Sequence, residues 1–221
     1  MDRFAEKFPW QSPYVHAGNN SVNYVDLRGD SIWIRYYDAD NQPQRILYTQ
    51  GMKYEGDPFV SSVVESLNHL AETGAMKIDF GDGNKVDVLE AFSKEINVYI
   101  ETKDRNQYDP SGSNKIGFAN TGIEFQKKEG IADKGYNSPS AALGHEFIHA
   151  YRHNFATKSF WENMGAAATT PPWHRFDTYE EQLTTTNWAN QINTALGQDT
   201  RFSHKGTPYK TVSPTSTVRK P

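Results

Sequence analysis

The alternation of apolar and polar residues along the chain predicts short strands and amphipathic helices. Residues 31–37 alternate as a strand, and residues 45–50 follow as the returning strand of a hairpin. In residues 58–73, apolar side chains recur at helical spacing behind an Asp-Pro pair, which is favoured at a helix start. A glycine directly after this stretch ends the predicted helix.

The middle of the chain has shorter patterns, separated by polar turns. An Asn-Thr-Gly turn divides the last two predicted strands. The predicted elements are strands at 76–80, 96–101, 116–118 and 123–125, a helix at 86–95 and a polar loop at 103–114.

Two helices are predicted in the second half of the chain. The first covers residues 139–154 and starts behind a Ser-Pro pair. Residues 156–176 show no clear period. Asp177 and Glu180 have the spacing of a capping box, which opens a second helix that runs to about Leu196.

This order of strands and helices predicts an α+β fold with a small mixed or antiparallel sheet. The length of 221 residues favours one domain, which we place at residues 31–204. Residues 1–30 are polar and predict an irregular N-terminal arm. Residues 205–221 contain three prolines and no acidic residue, and they predict a flexible C-terminal tail.

Composition and charge exclude several classes of protein. The net charge of -4 leaves no basic footprint for nucleic acid. The chain has no cysteine, which excludes disulfides, a thiol nucleophile and cysteine-ligated metals. No apolar run is long enough for a membrane span, and the first residues lack the apolar core of a signal peptide. We therefore expect a cytosolic protein, or one exported by a dedicated machine.

The predicted helix at 139–154 carries the sequence H-E-x-x-H, with His145 and His149 as its two histidines. Residues four apart on a helix lie on one face, so both imidazoles can reach a single zinc ion. Glu146 follows the first histidine and can act as a base toward a water molecule on that ion. The motif predicts one catalytic Zn²⁺ per chain.

A catalytic zinc site needs a third protein ligand. His153 lies one further turn along the same helix, about 6 Å of rise beyond His149, which is too far for a straight helix to supply the third ligand. The extended motif H-E-x-x-H-x-x-G-x-x-H is absent. The other downstream candidates are Glu162, His174, Asp177, Glu180, Glu181 and His204. We favour another element, and the Glu180-Glu181 pair opens the next helix.

Two segments make the resemblance to a known family specific. Residues 143–153, which include the H-E-x-x-H motif, and residues 179–185, which include the paired acids, resemble the bacterial zinc metallopeptidase effectors typified by NleD. Clostridial neurotoxin light chains have a similar paired-acid arrangement. The resemblance covers about residues 96–204. It implies a zincin-like metallopeptidase core, with an active-site helix and a glutamate helix.

The resemblance also implies roles for individual residues. The second acid, Glu181, would bind zinc, and the first, Glu180, would accept a hydrogen bond from a ligand imidazole. The capping-box position gives Glu180 a local role as well, which independently favours Glu181 as the ligand. The family has an R-x-x-Y motif, but here His204 stands where tyrosine is expected after Arg201. Either side chain can donate to a developing oxyanion.

In related peptidases, a strand before the active-site helix binds the substrate backbone by strand addition. Residues 122–125 are our candidate for this strand.

The function expected from these features is that of a secreted bacterial effector or toxin, a zinc endopeptidase that cleaves a protein inside a target cell. Two alternatives stay open: a zinc amidase that acts on bacterial cell-wall peptide, and a host-binding protein with a vestigial metal site. Glu146 argues against the second alternative, because a structural site needs no base. The expected partners are a protein or peptide substrate, and an export machine or immunity protein. We expect a monomer that is secreted without a signal peptide.

Overall fold

The computed structural model describes residues 31–111, 113–127, 132–170 and 176–221. Within these ranges it combines helices with small β-sheets, so the predicted α+β class is confirmed. The predicted N-terminal arm, residues 1–30, lies outside the described residues. In the described part of the chain, no helix is long and apolar enough to cross a membrane.

The strands form three sheets. They are β1 (Ile32–Tyr37), β2 (Pro43–Leu47), β3 (Lys77–Asp79), β4 (Lys85–Asp87), β5 (Val98–Thr102), β6 (Gln107–Asp109), β7 (Lys115–Phe118), β8 (Gly122–Gln126), β9 (Lys134–Asn137) and β10 (Thr207–Tyr209). The largest sheet has the order β2-β1-β5-β7-β6, with β1, β5 and β7 parallel and the two edge strands antiparallel. The others are β10-β8-β9 and the hairpin β3-β4.

The helices pack against the largest sheet and against one another. They are α1 (Pro58–Glu72), α2 (Val88–Glu95), α3 (Pro139–Phe155), α4 (Thr157–Met164), α5 (Tyr179–Leu183) and α6 (Ala189–Ala195), with a π-helical turn at Thr184–Trp188 between the last two. The predictions of the β1-β2 hairpin and of α1 are therefore confirmed. Asp57 caps α1 by accepting from the backbone N–H groups of Phe59 and Val60.

Helix α3, the predicted active-site helix, is the central helix of the core. Its apolar side chains Leu143, Phe147 and Ile148 are fully buried. A Cβ atom at Gly144 would lie 2.9 Å from Ile192 Cδ1, so a larger residue there would require the Ile192 side chain of α6 to shift. Because apolar groups cover α3 on several sides, its polar residues are held in fixed positions.

Strands β7 and β8 do not form the hairpin that the turn between them suggests. Both edges of β7 are occupied, since β5 pairs on one side and β6 on the other. Strand β8 therefore crosses to the second sheet and pairs with β9 and β10. The predicted polar loop at 103–114 also differs from the structure, because it contains the edge strand β6.

Residues 205–221 are not the flexible tail that their composition predicts. Strand β10 pairs with β8, and Tyr209 is buried against the domain. The carbonyl oxygen of Pro214 accepts hydrogen bonds from the backbone N–H and the hydroxyl of Ser140, at 2.9 Å each. These bonds tie the tail to the first turn of α3. The segment 156–176, in which the sequence shows no clear period, also contains regular structure near its start: α4, which buries Phe160.

Candidate metal centre

The two motif histidines lie side by side on the buried face of α3. Ser138 caps the helix by accepting from the Ala141 N–H, and Pro139 occupies its first turn. Their i, i+4 spacing places His145 and His149 one turn apart on this helix, with their Nε2 atoms at 3.1 Å. Both residues are 8% exposed. The i, i+4 prediction of a shared histidine face therefore agrees with the structure.

Glu181 completes a group of three potential metal ligands. Its Oε2 atom lies 2.9 Å from His149 Nε2, and its Oε1 atom lies 3.2 Å from His145 Nε2. The donor atoms of all three residues lie within 4.8 Å of one another, so His145, His149 and Glu181 could hold a metal ion. We call this group the metal triad.

The start of α5 and the π-helical turn fix the carboxylate of Glu181. Thr178, and not the predicted Asp177, caps the helix, and its hydroxyl accepts from the Glu181 N–H at 3.1 Å. One turn later, the Thr185 hydroxyl donates to Glu181 Oε1 at 2.9 Å. The carboxylate is therefore held from its own helix while it faces the histidines.

The charges of the metal triad depend on one another. Burial lowers the pKa of His149, but the negative charge of Glu181 outweighs this effect and raises the pKa to about 9. Burial raises the pKa of Glu181, but the two histidines outweigh it and hold the pKa well below its usual range. Without a metal ion, the site thus favours a protonated imidazole beside a carboxylate.

Glu146 is buried beside the triad and has a backbone partner from the opposite side of the cleft. Its Oε2 atom accepts a hydrogen bond from the Tyr108 N–H of β6 at 2.7 Å. Burial raises the pKa of Glu146, although the neighbouring histidines act in the opposite direction. A raised pKa suits a carboxylate that exchanges protons near neutral pH.

Glu180 has a different environment from the one the sequence predicts. It does not reach back to cap α5, and it does not accept from a ligand imidazole. Its fully buried carboxylate instead accepts from Arg152, with Nε–Oε1 at 3.0 Å and Nη2–Oε2 at 3.3 Å, and from Asn163 Nδ2 at 3.0 Å. This ion pair joins α3 to α5 behind the metal triad.

The structure brings Arg201 and His204 to the same cleft. Nε2 of His204 lies 3.5 Å from Glu181 Oε1, and its ring stacks on that of His145 with centroids 6.3 Å apart. The Arg201 guanidinium is buried and donates from Nη2 to the His204 carbonyl, while its Nε atom has no hydrogen-bond partner among the described residues. Burial lowers the pKa of Arg201 to about 10. Both side chains could donate to an oxygen bound in the cleft.

The remaining ligand candidates lie elsewhere or have other partners. Nδ1 of His153 lies 2.6 Å from the hydroxyl of Tyr108. Glu162 is on the surface near Lys158. His174 is outside the described residues. Asp177 borders the cleft but does not belong to the metal triad.

Two cavities meet at His145, Glu146 and His204 and form one cleft across the site. The larger, of about 350 Å³, contains the metal triad and is bounded by β6 and by α4. The smaller, of about 210 Å³, lies between α3 and the segment 201–208. Space is therefore present on both sides of Glu146.

Strand β8, predicted from residues 122–125 to bind substrate, has no free edge. Strand β9 pairs with one side and β10 with the other. The strand with an edge facing the site is β6, since the Tyr108 N–H points at Glu146. Sequence reasoning missed β6 because it has three residues inside a polar stretch. The available signal was Tyr108, the one aromatic residue in 103–114.

Comparisons with models of protein families, with characterised proteins and with solved structures find no significant match to this chain. The resemblance to the effector family therefore stays a prediction based on the motif residues.

Proposed function

We propose that this protein is a zinc-dependent endopeptidase. The observation that carries the proposal is the metal triad together with the buried carboxylate of Glu146 at its edge. A structural metal site has no use for such a base, whereas a catalytic site requires one. A mixed sheet with an antiparallel edge strand beside the active-site helix fits the zincin-like core expected from the resemblance.

The donor set suits zinc. Two imidazoles and one carboxylate are a recurring ligand set of catalytic zinc sites, which leave a fourth position open. Donor atoms bound at 2.0–2.1 Å in a tetrahedron are about 3.3 Å apart. The two imidazole Nε2 atoms, 3.1 Å apart, are close to this value, and each has a different oxygen of Glu181 nearby, at 3.2 Å from His145 and 2.9 Å from His149. A small outward movement of the side chains would admit the ion.

A bound zinc ion supplies Lewis acidity, which activates water and polarises a carbonyl group. Glu146 accepts a proton from the attacking water at a carboxylate oxygen and later delivers it to the leaving amine nitrogen. Arg201 and His204 donate hydrogen bonds to the carbonyl oxygen as negative charge develops on it. Their placement beside the triad supports this role.

The shape of the cleft favours an extended peptide cut within its length. Cavities on both sides of Glu146 leave room for residues before and after the scissile bond. The outer edge of β6 pairs with no strand in the described residues, but its Tyr108 N–H already donates to Glu146, so a peptide can lie along β6 without pairing to that N–H. The motif resemblance extends the proposal to a secreted effector that acts on a protein in the target cell.

We expect about one zinc ion per chain and loss of tight binding in His149→Ala, since two ligands hold zinc poorly. Zinc must displace the proton from His149, whose pKa in the metal-free protein is raised to about 9. Zinc affinity should therefore increase with pH up to about pH 9, by up to about tenfold per pH unit. Calorimetric titration at several pH values measures both effects.

The matched control is His69→Ala in α1, which should leave zinc binding unchanged. In the metal-free protein, the His149–Glu181 charge pair stabilises the fold fully below about pH 6.5, the ordinary His pKa. This contribution is lost as the pH rises toward about 9. A protein that stays free of zinc after reconstitution would contradict the metal assignment.

The reaction can be tested by incubating the zinc-loaded protein separately with a bacterial and a mammalian cell lysate. We expect new protein N-termini, detected by labelling and mass spectrometry, that disappear with a chelator and return with added zinc. Parallel incubation with purified peptidoglycan tests the amidase alternative, which would release cell-wall fragments instead. Zinc binding without cleavage of either material would favour a non-enzymatic role.

A further inference from the structure

Tyr108 connects the edge strand β6 to α3 through two different groups. Its backbone N–H donates to Glu146 Oε2 at 2.7 Å, and its hydroxyl lies 2.6 Å from His153 Nδ1. We infer that Tyr108 is a positioning residue for Glu146, and that His153 and Asn114 hold its side chain in place. The inference rests on the proposed function, in which Glu146 accepts and delivers a proton.

The hydrogen bonds around the Tyr108 hydroxyl determine which group donates the proton in each of them. The hydroxyl donates its one proton to Asn114 Oδ1 at 3.0 Å, and Asn154 Nδ2 donates to the same oxygen at 3.1 Å. The bond between Tyr108 and His153 therefore needs the proton on His153 Nδ1. Burial raises the pKa of Tyr108, so the hydroxyl stays neutral.

The imidazole of His153 is itself fixed by α4. Its ring centroid lies 5.2 Å from that of Phe160 and 5.4 Å from that of Trp161. His153 is one turn beyond His149 on α3. The anchor of Tyr108 therefore belongs to the same rigid helix as the metal-binding histidines.

Strand β6 needs such an anchor because it is short. It has three residues and pairs only with β7 among the described strands. The N–H of Tyr108 points away from β7 and toward Glu146, so the position of this N–H depends on how β6 is held against α3. Misplacement of a catalytic group by about 1 Å can lower the rate as much as 100-fold. The contact with the Tyr108 N–H therefore matters because it holds the Glu146 carboxylate in place.

The test compares the full-length protein with Tyr108→Phe, His153→Leu and His153→Asn. The first two variants remove the hydroxyl–imidazole bond, whereas Asn retains an N–H donor near the position of Nδ1. The substrate is a fluorogenic peptide with the sequence of a cleavage site found in the lysate experiment. We expect Tyr108→Phe and His153→Leu to lower kcat about 10–100-fold with little change in KM. His153→Asn should retain most of the wild-type kcat.

A second readout does not depend on activity. Loss of the anchor should accelerate hydrogen exchange of the residue 108 amide at least about tenfold, measured by NMR on the zinc-loaded protein. His153→Asn should again recover most of the protection. If the wild type cleaves nothing but the exchange changes as expected, the proposed reaction fails and the positioning of Glu146 by Tyr108 stands.

Tyr48→Phe is the matched control. Tyr48 is also buried, and its hydroxyl donates to Asn68 Oδ1 at 2.9 Å. Tyr48 is not among the residues that line the cleft. Tyr48→Phe should lower the melting temperature about as much as Tyr108→Phe but leave kcat and the exchange at residue 108 unchanged. The inference is overturned if Tyr108→Phe behaves in the same way as this control.

Discussion

Replacing Glu146 with glutamine is expected to remove peptide hydrolysis while the protein keeps its zinc and its fold. Glutamine has nearly the same shape, and its amide oxygen can still accept from the Tyr108 N–H. It cannot take up the proton of the attacking water, which costs about 10²–10⁴ in rate, and more if water is also misplaced. Measurement of kcat/KM, together with zinc content and melting temperature, checks this prediction.

The stability of this variant should not suffer, because Glu146 is a buried carboxylate whose charge is costly to desolvate. A neutral amide at the same place removes that cost. Glu101→Gln provides the control: Glu101 pairs with Arg35 and Lys115 in the large sheet, and its loss should leave activity unchanged. An unchanged kcat/KM in Glu146→Gln would show that Glu146 is not the group that accepts the proton of the attacking water.

The second prediction separates the adjacent acids Glu180 and Glu181. Glu181→Ala should abolish activity and lower zinc affinity by more than the roughly 10–100-fold that follows loss of a ligand's partner. Glu180→Ala should retain zinc but leave the buried Arg152 guanidinium without its carboxylate partner. The loss should lower the free energy of unfolding by about 3–5 kcal/mol. Zinc titration and chemical denaturation measure the two effects independently.

A double-mutant cycle supplies the control for Glu180. Arg152→Met combined with Glu180→Leu removes both charges of the buried pair, so the double variant should lose less stability than the single variants Arg152→Met and Glu180→Leu together. The reverse outcome, with zinc lost in Glu180→Ala and kept in Glu181→Ala, would show the ligand assignment to be wrong. The metallopeptidase proposal would survive that result.

Local periodicity is sufficient to predict the histidine pair. His145 and His149 lie on one face because any helix places residues four apart together, and Ser138 caps this helix by accepting from the N–H of Ala141, three residues away. The same reasoning predicts α1 from its cap and its apolar spacing. These features depend on interactions within a few residues of chain, which a single sequence contains.

The structure places Glu181 beside the histidines, as predicted, but the reason differs in part from the capping-box argument made from the sequence. The cap lies at Thr178 and not at Asp177, so Glu180 is not engaged in a capping box. Adjacent residues on a helix are still about 100° apart, and this angle directs Glu180 to Arg152 and Glu181 to the histidines. The separation of the two acids is a local property, whereas the partner of Glu180 is not.

The remaining features exist only in the folded chain. Tyr108 contacts Glu146 across 38 residues, and β6 is a strand because β7 pairs with it and not because of its own three residues. Strand β8 loses both edges to β9 and to β10 in the tail, so it cannot bind substrate as the motif resemblance suggests. Hydrogen bonds between distant segments leave no periodic trace in short polar stretches. For that reason the sequence predicts the ligands, and only the tertiary structure shows which strand faces them.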